Sequence, residues 1–178
     1  MLATDDLRAE HQGILKMLAI LRAIAAGLKP GAPLPRRQLG DILEFLRVFA
    51  DKCHHGKEED ILSPALEQAG MPRQGGPIAV MLHEHELGRG HIRDMGAALE
   101  AGDPAAFAAA GLAYADLLTP HIAKENTVLF PMAERLLGAE ALTAMQEDFE
   151  RLEAERIGPG RHEAFHVLLD ELSALYLS

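Results

Sequence analysis

The sequence predicts an all-α protein, an up-down four-helix bundle with two additional C-terminal helices. Three observations lead to this prediction. Apolar residues recur at spacings of three and four along most of the chain. Aromatic residues make up only 4% of the sequence and Trp is absent, which favours helix over sheet. Short segments rich in Gly and Pro separate the long periodic stretches, and long helices with short connections pack as antiparallel neighbours.

The four bundle helices are placed by apolar periodicity and by the breakers between them. The first is predicted over residues 4–28 and the second over residues 36–69. The third is predicted over residues 77–102, after a Gly-Gly-Pro turn. The fourth is predicted over residues 104–137, because Asp103 is a good N-cap and proline is favoured in the first helical turn.

Three prolines fall inside the predicted second and fourth helices. Proline lacks the amide hydrogen and clashes with the preceding turn. Pro64, Pro120 and Pro131 are therefore each expected to kink a helix or to divide it into consecutive pieces.

The remainder of the chain predicts a helical extension. Two helices are expected, over residues 139–156 and 160–177, separated by an Ile-Gly-Pro-Gly segment. The predicted organisation is a four-helix bundle over residues 1–138 and an extension over residues 139–178, packed on the same domain but outside the bundle.

Composition argues against several classes of function. The chain has 17 basic and 27 acidic residues and a net charge of −10, which disfavours binding to nucleic acid or to an anionic membrane. The longest weakly polar stretch, residues 104–115, is too short to span a bilayer. The acidic start lacks a signal-peptide pattern and the single cysteine excludes an internal disulfide, so we expect a cytoplasmic protein. No feature predicts an oligomeric state.

An internal repeat locates the candidate site. Residues 54–64 and residues 121–131 both read H-x-x-K-E-x-x-x-L-x-P. Side chains four residues apart lie on one face of a helix, so each copy presents an imidazole and a carboxylate together. Two such pairs can face each other across a bundle core, where each carboxylate could bridge two metal ions. The side chains concerned are His54, Glu58, His121 and Glu125.

The first and third helices each add one histidine to this pattern. His11 and His85 lie on the predicted inward faces, which gives four histidines and two glutamates in total. Neutral imidazole and carboxylate together suit iron, manganese or zinc. The high share of histidine distinguishes the set from the glutamate-rich ferritin arrangement.

The ordered pattern resembles the hemerythrin-like family, also called the HHE cation-binding family, whose four helices carry H, H-x-x-x-E, H and H-x-x-x-E. The resemblance covers residues 7–137. The repeated segments look like the bacterial branch that includes the di-iron part of iron-sulfur-cluster repair proteins. The resemblance implies a non-haem centre with two iron ions, zinc and manganese being the alternatives. The metal ligands that it implies are His11, His54, Glu58, His85, His121 and Glu125.

The resemblance also implies a function involving a small molecule. Oxygen-carrying members have two histidines four residues apart on the third helix. In this sequence the residue four positions after His85 is Arg89. A centre with one ligand fewer suits reaction with dioxygen, nitric oxide or peroxide better than oxygen storage, and we expect binding of, or reaction with, such a molecule. A metal-responsive or oxygen-responsive sensing module is one alternative. Iron or zinc handling without redox chemistry is another. The sequence does not specify whether the protein is an enzyme.

Two neighbours of the repeat have competing interpretations. His55 with Glu59 is an alternative register for the second helix, although the repeat favours His54. Cys53 is interpreted as a small buried residue rather than as a redox thiol. His83, on the third helix, is interpreted as a surface group.

The C-terminal helix contains an H-E-x-x-H sequence, the pattern of zinc proteases. Too little chain follows it for a third ligand and a substrate cleft, so the protease interpretation is disfavoured. A second interpretation is that His162, Glu163 or His166 folds back over the bundle and contributes to the metal centre. A polar helix edge is the simplest interpretation.

Overall fold

The computed structural model describes all 178 residues, and it confirms the all-α prediction, since it contains no strand. No helix combines the length and the apolar character that crossing a membrane requires. The α-helices are α1 (Ala3–Gly27), α2 (Arg36–Glu44), α3 (Ser63–Gln68), α4 (Pro77–Ala101), α5 (Pro104–Lys124), α6 (Phe130–Arg156) and α7 (Arg161–Tyr176).

Three π-helical segments join some of these helices into longer rods. Phe45–His55 and Glu58–Leu62 lie between α2 and α3, and together they form the second bundle helix, residues 36–68. Glu125–Leu129 joins α5 to the start of α6. A π-helical turn holds more residues than an α-helical turn because its hydrogen bonds run from residue i to i+5. Side chains in these segments therefore depart from the regular α-helical spacing.

The interior prolines do not end the helical rods. Pro64 and Pro131 each stand in the first turn of an α-helix, directly after a π-helical segment, and Pro120 lies inside α5. Proline has no amide hydrogen to donate to the preceding turn. The disruption expected at Pro64 and Pro131 thus takes the form of a change from π-helix to α-helix.

The predicted helix boundaries are observed where cap chemistry defines them. Gly102 ends α4 in the left-handed conformation, and the Asp103 side chain accepts a hydrogen bond from Ala106 N at 3.0 Å at the start of α5. Gly138 has φ 80° and ψ 165° inside α6, so it ends the fourth bundle helix, residues 104–137.

The core consists of two apolar clusters separated along the bundle axis. The larger cluster includes Ile14, Leu118 and Ile122. The smaller includes Leu7 and Leu129. The candidate ligands lie between these clusters. On α1, His11 lies between Leu7 and Ile14, and on the fourth bundle helix, Glu125 lies between Ile122 and Leu129.

The helices beyond Gly138 belong to both clusters. Phe149, in the second half of α6, is fully buried in the smaller cluster. Phe165 of α7 is 5% exposed, lies in the larger cluster and packs against Phe45 and Phe49 at ring-centroid distances of 5.6 and 5.9 Å. The extension therefore shares the core of the bundle.

Replacing Phe165 by alanine is expected to lower the free energy of unfolding by about 3 kcal/mol, because it removes a buried aromatic side chain from a shared core. Urea denaturation of the metal-free protein measures this change. Leu175→Ala is the matched control, since that side chain is 64% exposed and little is expected to change. Equal effects of the two substitutions would contradict the shared core.

Candidate metal centre

A layer of polar side chains crosses the bundle between the two apolar clusters. Its members come from all four bundle helices and are 0–3% exposed. They include every candidate ligand identified in the sequence and one further histidine. The seven are His11, His54, His55, Glu58, His85, His121 and Glu125.

These side chains form two overlapping groups of ligand atoms. In each group the atoms lie within 4.8 Å of one another. The first group is His55, Glu58, His85 and His121, and the second is His11, His54, Glu58 and Glu125.

Glu58 joins the two groups because its two oxygens face different histidines. Glu58 Oε1 lies 3.3 Å from His54 Nε2, and Oε2 lies 3.2 Å from His85 Nε2. Glu125 is placed in the same way, with Oε2 at 3.0 Å from His11 Nε2 and Oε1 at 3.0 Å from His121 Nε2. Both carboxylates thus span the two groups, as bridging ligands do.

The outer nitrogens of four histidines are held by acceptors on neighbouring helices. Each Nδ1 donates to a side-chain oxygen, which directs Nε2 towards the centre of the layer. The pairs are His54 to Glu10 (3.0 Å), His121 to Glu84 (2.7 Å), His85 to Glu59 (2.9 Å) and His11 to Asn126 (2.8 Å).

Nε2 of His85 and Nε2 of His121 lie within hydrogen-bond distance of each other, at 3.2 Å, but most of the other inward atoms have no hydrogen-bond partner. Six of the eight buried side-chain atoms without a partner belong to this layer: Nε2 of His11 and His54, and both carboxylate oxygens of Glu58 and Glu125. Such atoms are costly to bury unless something else satisfies them. Neighbouring ligands that each lie about 2.1 Å from one ion, at right angles, are about 3.0 Å apart, close to the spacings here. The donor set therefore fits metal ions.

The buried carboxylates make the layer attractive to cations. Burial alone would lower the pKa of His54, but Glu58 and Glu10 raise it to about 10. Burial would also lower the pKa of His85, but Glu125, Glu58 and Glu59 raise it to about 11. By contrast, burial and the charge of His85 lower the pKa of His55, which favours its neutral imidazole.

Comparison with known proteins agrees with this geometry. The family model of the hemerythrin HHE cation binding domain matches residues 2–133, which is more than half of the chain. The chain belongs to this hemerythrin family. Together with the two His/Glu groups, this membership identifies a metal-binding protein.

Its curated relatives include mycobacterial proteins named as uncharacterized. Those from Mycobacterium tuberculosis and Mycobacterium bovis are 31% identical over 162 residues, which is 88% of this chain. The chain spans 63% of the length of these relatives. No solved structure matches the chain significantly.

The histidine that the ligand prediction omitted is His55. The sequence favoured His54 over His55 because the repeat aligns His54 with His121. Both are buried here, at the end of the π-helical segment Phe45–His55, whose wider turn changes the angle between successive side chains. Glu59 is not its partner, because Glu59 accepts from His85.

The third bundle helix lacks the second histidine that the oxygen-carrying members of the hemerythrin family have, and His55 and Arg89 are the residues concerned. Arg89 stands where those proteins have a histidine, and it pairs with Asp51 (2.9 Å) and Glu59 (2.7 Å). His55 lies with its ring stacked on that of His85 at 3.8 Å, and its Nδ1 is 3.4 Å from Asp51 Oδ1. The second bundle helix thus supplies an imidazole where the third has none.

The sequence analysis also did not predict the carboxylates and lysines that surround the histidines. Glu10 accepts from Lys57, and Glu84 accepts from Lys124, so each outer carboxylate is paired with the lysine of one repeat. A sequence signal was present, because a glutamate directly precedes both His11 and His85.

The remaining sequence candidates lie outside the two groups. His162 and His166 pack against Phe49 with ring centroids 5.4 and 6.2 Å away, and neither they nor the exposed Glu163 belong to the donor groups. Burial raises the pKa of the Cys53 thiol to about 12, so the thiolate needed for redox chemistry is disfavoured.

Removing Glu84 is expected to weaken metal binding about 10-fold to 100-fold, because His121 then loses the acceptor that fixes its orientation. Competition of Glu84→Ala with a chelator of known affinity measures the change. Glu86→Ala is the matched control, since Glu86 is exposed on the same helix. Unchanged affinity in Glu84→Ala would contradict this orienting role.

The two lysines of the repeat are expected to differ in their effect on stability. Lys57 is 1% exposed and contacts Asp6 and Glu153 as well as Glu10, whereas Lys124 is 44% exposed. Lys57→Met is expected to cost about 3 kcal/mol, because the buried Glu10 carboxylate loses its lysine partner. Lys124→Met is expected to cost less than about 1 kcal/mol, because solvent screens the exposed pair. Urea denaturation of both variants gives the comparison, and similar losses would contradict it.

Proposed function

We propose that this protein binds two non-haem iron ions in one carboxylate-bridged centre, and that the centre binds or reacts with a small molecule such as dioxygen, nitric oxide or peroxide. The observation that carries the proposal is the position of Glu58 and Glu125, each of which presents one oxygen to either group of histidines. The proposed ligands are His11, His54, His55, Glu58, His85, His121 and Glu125.

The donor set favours iron over zinc. Structural zinc sites are almost always closed by four tetrahedral ligands. Here His55, His85 and His121 share one side of the layer with an oxygen of each carboxylate, so that side offers five donors. A mixed set of imidazoles and carboxylates with more than four donors suits an ion that accepts octahedral coordination, such as iron or manganese.

Burial of the layer restricts the reactant to a small molecule. The seven donor residues are 0–3% exposed. Five surface grooves, including one between Asp60 and Arg156, have none of these residues in their walls. A bulky substrate cannot touch the donors without opening the bundle, whereas a diatomic molecule or a peroxide needs only transient gaps between side chains.

The residues of the chain provide ligation, charge balance and exclusion of water. Bound iron would supply electron transfer to a small molecule. Glu58 and Glu125 would offset the charge of the two ions, and the acceptors on Nδ1 would keep the histidines in place. The apolar clusters on either side keep bulk water out. No side chain outside the layer is required as an acid, a base or a nucleophile.

The proposal predicts about two iron ions per chain after anaerobic loading with ferrous iron, with a change in visible absorption on exposure to dioxygen or nitric oxide. His54→Ala combined with His121→Ala is expected to abolish both properties, because it removes one imidazole from each group. Elemental analysis and absorption spectroscopy provide the measurements.

His83→Ala is the matched control for this experiment, since His83 is exposed on the helix that carries His85. Iron content equal to that of the wild type is expected. Zinc as the only metal bound under these conditions, or full iron content in the double variant, would refute the proposal and leave metal handling without redox chemistry.

A further inference from the structure

The second half of α6 reaches the surroundings of the metal centre from outside the four-helix bundle. It belongs to the C-terminal extension, which lies beyond the hemerythrin domain. Arg156 donates to the backbone oxygen of Lys52 at 3.2 Å and pairs with Asp60. Its guanidinium lies over Gly56, where a larger residue would collide with it. The extension is therefore fixed against the part of the second bundle helix that carries the candidate ligands.

Lys57 connects this extension to α1. Its side chain is 1% exposed, and its ammonium group donates to Asp6 at 2.9 Å, to Glu153 at 3.2 Å and to Glu10. Asp6 and Glu10 belong to α1, whereas Glu153 belongs to α6. An ammonium group has three N–H donors and no acceptor, so the three carboxylates use all of its donors. Together they hold the ammonium at one position.

Glu10 links Lys57 to a candidate metal ligand. One oxygen of Glu10 accepts from Lys57, and the other accepts from His54 Nδ1 at 3.0 Å. His54 Nε2 then faces Glu58 at 3.3 Å. Three consecutive hydrogen bonds thus lead from Glu153 to the outer nitrogen of His54. The groups that hold a metal-binding imidazole at its outer nitrogen determine its orientation and its basicity.

The other half of the centre has no connection of this kind. Glu84 accepts from His121 Nδ1 at 2.7 Å and from Lys124, as Glu10 does from His54 and Lys57. Lys124, however, is 44% exposed, and Glu84 is the one carboxylate with which it pairs. The extension is therefore joined by hydrogen bonds to the His54 half alone.

We propose that Glu153 is a positioning residue of the metal centre, through which the C-terminal extension sets the metal affinity of the donor group that contains His54. This inference rests on the proposed centre of two iron ions. It adds control of one metal position by a part of the chain that supplies no ligand. Without the Glu153 carboxylate, one N–H of the buried ammonium has no acceptor. Lys57 and Glu10 are then no longer held at one position, and His54 loses its fixed orientation.

Glu153→Ala tests the inference, with Glu150→Ala as the matched control. Glu150 is exposed on the same helix, and its removal changes the net charge by the same amount. Competition with a chelator of known affinity, under anaerobic conditions, measures the binding of two ferrous ions by each variant. In Glu153→Ala, one of the two affinities is expected to fall about 10-fold while the other keeps its wild-type value. In Glu150→Ala, both affinities are expected to be unchanged.

A double-mutant cycle with Glu10→Ala distinguishes positioning from a general loss of packing. If Glu153 acts through Glu10, its removal is expected to have little further effect on either affinity once Glu10 is absent. A further 10-fold loss in the double variant, relative to Glu10→Ala alone, would show that the two residues act independently and would overturn the inference.

NMR spectra of isotope-labelled histidine side chains give a second test, in the metal-free protein. The Nδ1–H signal of His54 is expected to shift in Glu153→Ala. That of His121 is expected to stay at its wild-type position, which also shows that the bundle is folded. An unshifted His54 signal, or two iron ions bound by Glu153→Ala with wild-type affinities, would overturn this inference alone. A wild-type protein that binds no iron would overturn the proposed function, and this inference with it.

Discussion

The arrangement of the protein depends on two carboxylates that are buried among histidines in the middle of the bundle. Glu58 and Glu125 are 3% and 0% exposed, and none of their oxygens has a hydrogen-bond partner. Carboxylates are buried at great cost unless positive charge accompanies them. Three features follow from placing this charge in the middle of a bundle. They are the inward histidines, the division of the core into two apolar clusters, and an outer ring of carboxylates and lysines that consists of Glu10, Lys57, Glu84 and Lys124.

The outer ring shows how the bundle tolerates so many polar groups. The imidazoles of His11, His54, His85 and His121 are each fixed by an oxygen from a different helix, and most of those oxygens are held in turn by a cation. The C-terminal extension covers one half of this ring, where Glu153 reaches Lys57 at 3.2 Å and Lys57 lies over the Phe149 ring. Arg156 pairs with Asp60 nearby and lies over Gly56, where a larger residue would collide with its guanidinium.

Much of this could be predicted from sequence, because helical periodicity and cap residues are local signals. Gly102, Asp103 and Gly138 mark helix ends chemically, and the duplicated H-x-x-K-E motif identifies one inward face on each of two helices. His55 could not be predicted in this way, since an α-helical spacing turns it away from His54, and only the π-helical turn brings both inward. The hydrogen bond between His54 and Glu10 could not be predicted either, because it depends on how two helices that are far apart in the sequence face each other.

The H-x-x-K-E repeat gives the second and fourth bundle helices equivalent roles, as in a dimer of two identical helical hairpins, although one chain encodes both. In a dimer of identical hairpins, every ligand gained on one side would be gained on the other, and the two metal positions would stay equivalent. A single chain is free of that constraint, because each hairpin is encoded separately. When the two repeats are aligned, His55 corresponds to Ile122, and the buried Lys57 corresponds to the exposed Lys124, so the two copies are not equivalent. One chain can therefore give its two groups of candidate ligands different surroundings.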